Sequence, residues 1–84
     1  MNKVVLISGG SDGLGKAIAK DLARDCKVII LSPSEEKLKK VAGEIGVDFS
    51  VADVSDFEKL DAEVKKIIAK YGRIDCLINN AGLW

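Results

Sequence analysis

The sequence contains no histidine, one proline, two cysteines, two phenylalanines, one tyrosine and one tryptophan in 84 residues. Without histidine, imidazole acid–base chemistry and the commonest metal ligand are both closed to it. Cys26 and Cys76 fit no metal-ligand spacing and form no disulfide framework; they read as two buried thiols in a reducing compartment. Net charge is also missing, since thirteen basic residues cancel thirteen acidic ones. With no Lys/Arg block longer than a pair, neither a nucleic acid nor a membrane surface is an expected partner. The longest apolar runs are strand-length, far short of the ~20 residues that cross a bilayer. Met1, Asn2 and Lys3 lead straight into such a run, so no signal peptide is expected and the cytoplasm is the expected location.

What is present describes a soluble globular chain, 48% apolar and 31% charged. Its length allows one small domain, residues 1–84, burying only about 60 to 65% of its extended-chain surface. Strand-like runs alternate with helical patterns, the signature of a parallel sheet. Lys3 to Ser8 and Lys27 to Leu31 have continuous apolar cores, as central strands do. Val47 to Val51 alternates and suits an edge, and Ile74 to Ile78 reads as another interior strand.

Three apolar stripes mark the helices: Leu14, Ala17, Ile18 and Leu22; Leu38, Val41, Ala42 and Ile45; Phe57, Leu60, Val64, Ile67 and Ile68. Ser32 with Glu35, around Pro33 at the first helical position, has capping-box spacing, and Ser55 with Glu58 repeats it. Right-handed crossovers then predict half of a Rossmann-type doubly wound parallel α/β sheet, βαβαβαβ, in strand order 3-2-1-4. The first two helices cover one face and the third covers the other. Winding reverses between strands 1 and 4, where such sheets bind ligands at their carboxyl ends. The segments that follow those two strands are SGGSDGLG (Ser8 to Gly15) and NNAG (Asn79 to Gly82).

Gly9, Gly13 and Gly15 stand between a buried strand and an amphipathic helix. Glycine there permits positive φ, close approach of a pyrophosphate and tight helix–strand contact, and the helix start offers free N–H groups to an anion. Nucleotide binding is preferred over a merely tight turn.

These residues resemble the amino-terminal part of the short-chain dehydrogenase/reductase family. The family turn Thr-Gly-x-x-x-Gly-Ile-Gly is matched with Ser8 for Thr and Leu14 for Ile; Asp53–Val54 matches its acidic adenine-contacting pair; NNAG follows the fourth strand. The resemblance implies NAD(P) binding, with Gly9, Ser11, Asp12, Gly13, Leu14 and Gly15 around the pyrophosphate, Asp53 accepting from the adenine amino group beside Val54, and Asn80, Ala81 and Gly82 along the ribose side. Asp53 could alternatively cap the turn before the third helix, but Ser55 is expected to do that. Asn79 reads as structural, and Ser32 as a helix cap with a ribose contact added to it.

Cofactor type, NAD or NADP, stays open. An acidic residue at the end of strand 2 would select NAD and a basic one NADP, but Ser32, Pro33 and Ser34 supply neither. Asp12 should repel a phosphate, or it is simply a helix-start acid. The family completes hydride transfer with Ser, Tyr and a Lys four residues after the Tyr. Here the sole tyrosine, Tyr71, is followed at that spacing by Asp75 and reads as an aromatic at a helix end. The expectation is the cofactor-binding half of an oxidoreductase, inactive alone. The alternative is a self-standing half-Rossmann module, natural or engineered, that mainly folds and assembles. An apolar strand 4 without an outer partner further predicts a homo-oligomer, most simply a dimer through strand 4 edges or helix 3 faces.

Overall fold

The computed structural model describes residues 3–9, 13–53 and 55–79. In chain order the elements are β1 (Lys3–Ser8), α1 (Gly13–Leu22), β2 (Cys26–Ser32), α2 (Glu35–Ile45), β3 (Asp48–Val51), α3 (Phe57–Tyr71) and β4 (Cys76–Asn79). The strands form one parallel sheet in the order β3-β2-β1-β4. Pairing aligns Ile7 with Ile30 and Ile78, and Leu31 with Ser50.

Because strand side chains alternate between faces, the apolar runs of β1 and β2 feed two separate cores. Val5, Ile7, Val28 and Ile30 pack with Ala19 of α1 and with Leu38, Val41 and Ala42 of α2. Val4, Leu6, Ile29 and Leu31 pack with Ala52 and with Ile67 of α3 on the opposite face. The first two helices therefore share one side and the third takes the other, as right-handed crossovers require.

Several expectations at element ends are corrected. The cap of α2 is Ser34, not Ser32, and Pro33 lies before the helix. Ser32 instead ends β2, and its hydroxyl accepts the Ser34 N–H at 3.3 Å. The cap of α3 is Asp56, not Ser55; its carboxylate accepts the Lys59 N–H at 3.2 Å. At α3 an acceptor directly before the first turn reaches one of that turn's free amides, whereas Ser55, one residue earlier, is bonded to Asp53; at α2 the Ser34 side chain makes no capping hydrogen bond. Both helices close on a glycine in the left-handed region, Gly46 at φ 70° and Gly72 at φ 84°.

The helix stripes are narrower than predicted. Leu14 is 62% exposed, Ala17 and Ile68 are exposed, and Phe57 is 78% exposed, because α1 and α3 each lie on a sheet only four strands wide. On β4, Leu77 is 63% exposed and Cys76 is also exposed, so Cys76 is not the buried thiol predicted. Cys26 is partly buried. Beside Phe57 and Leu77 a cleft of about 260 Å³ opens between α3 and β1–β4, lined also by Leu6, Leu60 and Val64. Among the described residues no helix is long and apolar enough to cross a membrane.

Candidate dinucleotide site

The carboxyl ends of the strands bring the predicted positions to one edge of the sheet. Gly9 follows β1, Ser32 ends β2, Asp53 lies just past β3, and Asn79 ends β4. Parallel strands dictate this gathering, and the order of the strands puts the reversal of winding between β1 and β4.

Gly9 leaves β1 with φ 74°, in the left-handed region that a side chain disfavours. Its N–H donates to the Leu31 carbonyl at 2.8 Å, which binds the turn to the end of β2. Among the described residues, amides for an anion come from the start of α1. That helix has no acidic residue in its first turn, so the positive end of its dipole is not opposed from within the helix. At Gly13 the φ is not positive, and a Cβ placed there would meet nothing within 4 Å. Neither backbone nor packing requires glycine at that position, and open space remains beside it. Gly15 is buried, and the exposed Leu14 lies between them.

Ser8 is buried, and its hydroxyl donates to Asn79 Oδ1 at 2.8 Å. This ties the ends of β1 and β4 together and gives Asn79 the structural role expected of it. Across the sheet, the Ala52 N–H donates to the Ser32 carbonyl at 3.0 Å and aligns the ends of β2 and β3.

Asp53 is an exposed carboxylate whose Oδ1 accepts both the Ser55 N–H at 2.9 Å and the Ser55 hydroxyl at 2.8 Å. Those bonds, the backbone one foremost, hold its pKa below the usual carboxylate value and keep it charged. The turn that Ser55 was expected to cap is thus held by Asp53 itself. Ser11, Asp12, Val54, Asn80, Ala81 and Gly82, also assigned to the site from sequence, lie outside the described residues.

Tyr71 lies at the opposite end of the sheet. Its ring faces Lys27, near the start of β2, with the ammonium 5.4 Å from the centroid, and the hydroxyl is buried without a partner among the described residues. From Lys27 to Ser32 the strand rises about 16 Å, so Tyr71 is remote from the glycine turn.

One residue passed over in sequence proves structurally important. Asp75, noted only as standing where a lysine would follow a catalytic tyrosine, accepts the Val4 N–H through Oδ2 at 2.7 Å. Its own N–H donates to the Val4 carbonyl at 2.8 Å. Charge alternation gives no cue to such a contact, because Asp75 and Val4 are far apart in the chain.

Comparison with known proteins agrees with this geometry. The short chain dehydrogenase family model matches residues 3–84. Cis-2,3-dihydrobiphenyl-2,3-diol dehydrogenase of Metapseudomonas furukawaii is 36% identical over 84 residues, 98% of this chain and 30% of the relative. Carbonyl reductase family member 4 of Xenopus tropicalis is 40% identical, over 99% of this chain and 36% of its own length. A metagenomic short-chain oxidoreductase in complex with NADP superposes with a TM-score of 0.89 at 32% identity, covering 96% of this chain and 39% of that one. The 3-ketoacyl-(acyl-carrier-protein) reductase of Brucella melitensis, complexed with NADH, gives 0.83 at 36% identity, over 89% of this chain and 32% of its own. The chain thus spans about a third of the length of the curated relatives it matches. With its glycine turn, its sheet order and a family match across nearly every residue, the chain belongs to the short-chain dehydrogenase family.

Proposed function

We propose that these residues hold the adenosine and pyrophosphate half of NAD(P) for an oxidoreductase that moves hydride between the nicotinamide and an alcohol–carbonyl pair. The observation that carries this is the gathering of Gly9, Gly13, Asp53 and Asn79 at the carboxyl edge of the sheet, with Gly9 and Asn79 at the β1–β4 reversal and Asp53 on the β3 side. Backbone amides from Gly13 onward face the pyrophosphate, with Ser11, Asp12 and Leu14 around it. Asp53 Oδ2, which takes no hydrogen bond among the described residues, accepts from the adenine amino group beside Val54. Asn80, Ala81 and Gly82 line the ribose side.

The cofactor supplies the hydride; these residues bind and orient it. They supply no acid for the carbonyl oxygen, since the sole tyrosine lies at the far end of the sheet with its hydroxyl buried and histidine is absent. The 84-residue chain alone should therefore bind nucleotide without turnover. Incubation with NAD(P)H and carbonyl compounds should give no rate above background. Turnover that disappears in Gly13→Val would overturn this reading.

We also propose that the chain, on its own, associates with a second copy through β4. Among the described residues the outer edge of β4 has no strand partner, and the exposed Phe57 and Leu77 lie beside it. A two-fold pairing there is antiparallel and joins two four-stranded sheets into one.

A further inference from the structure

A cavity of about 360 Å³ opens between β3 and the second half of α3, against Ile29 and Ile67. Its origin lies in the register of the outermost strand. Ile29 and Leu31 of β2 face α3, and they pair with Asp48 and Ser50, so β3 turns an acid and a serine toward the helix where β1 and β2 turn aliphatic residues. Those shorter polar side chains leave the space beside α3 unfilled. From the helix, Glu63, Lys66, Ile67, Lys70 and Tyr71 follow i, i+3, i+4 spacing and share the face that borders it.

Both carboxylates of the cavity wall are already engaged. The buried Ser50 donates its hydroxyl to Glu63 Oε1 at 2.6 Å, and Glu63 also pairs with Lys66 at 2.9 Å. Asp48 pairs with Lys70 at 3.3 Å and with Lys27 at 3.7 Å. The Tyr71 hydroxyl, by contrast, is buried and has no hydrogen-bond partner among the described residues, a state that native interiors avoid unless something else completes it. The ammonium groups of Lys27 and Lys70 lie 5.4 and 5.2 Å from the centroid of its ring. Three ammonium groups, Lys27, Lys66 and Lys70, thus stand against two carboxylates, Asp48 and Glu63, which leaves one positive charge beside an unsatisfied phenol. A cationic ligand would add to that charge and a neutral one would leave it standing. A single anionic group that accepts a hydrogen bond answers both, and Ile29, Ile67 and Phe49 offer an apolar body its contact surface. The volume is at the lower end of the range for small-molecule sites.

We infer that the cavity between β3 and α3 binds a small monocarboxylate with an apolar body, the carboxylate accepting from the Tyr71 hydroxyl beside Lys70 and the body lying against Ile29 and Ile67. This site is distinct from the dinucleotide edge and does not rest on that reading: Asp48 begins β3 and Tyr71 ends α3, whereas the glycine turn follows the carboxyl end of β1.

NMR titration of the 84-residue chain with hexanoate, and with 1-hexanol as a neutral probe of the same body, tests this. Hexanoate should shift the amides of Phe49, Ser50, Ile67 and Tyr71 saturably, and hexanol should bind at least about tenfold more weakly. Tyr71→Phe keeps the ring and loses only the unpartnered hydroxyl, so it should melt at or above the parent while lowering hexanoate affinity about tenfold. Lys70→Gln should weaken binding by less, because that ammonium is exposed and screened. Hexanol binding as tightly as hexanoate overturns the inference, since the cavity would then select only an apolar body. Unchanged hexanoate affinity in Tyr71→Phe also overturns it, because the carboxylate would then sit elsewhere. A Tyr71→Phe variant that melts below the parent overturns it too, by showing that the hydroxyl is already satisfied in the free protein. Shifts that are absent, or spread over the whole chain, leave no site to assign.

Discussion

Asp75 holds the entry to β4 by exchanging two hydrogen bonds with Val4, and Arg73 Nε donates to its other oxygen at 2.8 Å. The Val4 amide, and after it Arg73, lower the Asp75 pKa from its ordinary value of 3.8. A carboxylate with a lowered folded pKa stabilises the fold above its unfolded pKa, and that stabilisation is lost as pH falls through the folded value. Asp75→Asn should therefore melt below the parent at neutral pH, with the gap closing on acidification below about pH 4. Melting temperatures of the two proteins across that range check this; a gap that is constant or grows in acid refutes it. At the other end of the same strand pair, Ser8→Ala removes the donor to Asn79 and should cost about 1 kcal/mol in denaturant unfolding.

At the scale of elements, the helix starts separate two plausible patterns. Ser55 and Glu58 have capping-box spacing, yet the side chain that accepts a first-turn amide of α3 is that of Asp56. Asp56→Ala should destabilise by about 1 kcal/mol, while Ser55→Ala should cost distinctly less. Chemical denaturation of both variants decides it, and the reverse ranking would restore the capping box. The four strands and three helices were legible because β1 and β2 are written as unbroken apolar runs and the helices as spaced stripes. Their order was legible because crossover handedness leaves few arrangements. Cap positions were not, since Ser, Asp and Glu crowd both helix starts and a shift of one residue satisfies the same pattern. The exposure of Leu14, Phe57 and Leu77 was equally hidden: periodicity identifies an apolar face but cannot say how much neighbouring structure covers it. At the site, the Gly9 turn and the Ser8–Asn79 edge were legible through the family motif. The pairing of Asp53 with Ser55 was not, because either could serve the turn.

For the molecule as a whole, two cores back to back on one thin sheet leave the β4 side exposed. A second copy joined there should bring Phe57 and Leu77 out of water. Sedimentation across a wide concentration range should show a dimer, and Leu77→Lys, which puts a charge beside the joining edge, should shift it toward monomer. A folded monomer at every concentration would refute self-association. Nucleotide capture by the turn between β1 and α1 is the larger matter, and Gly13 tests it most directly because the fold does not need glycine there. The decisive measurement is calorimetric titration of NAD(P) into the parent and into Gly13→Val, with melting curves of both. The account predicts matching melting curves, measurable binding to the parent, and none to the variant. Equal binding by a well-folded variant, or no binding by the parent, would contradict it.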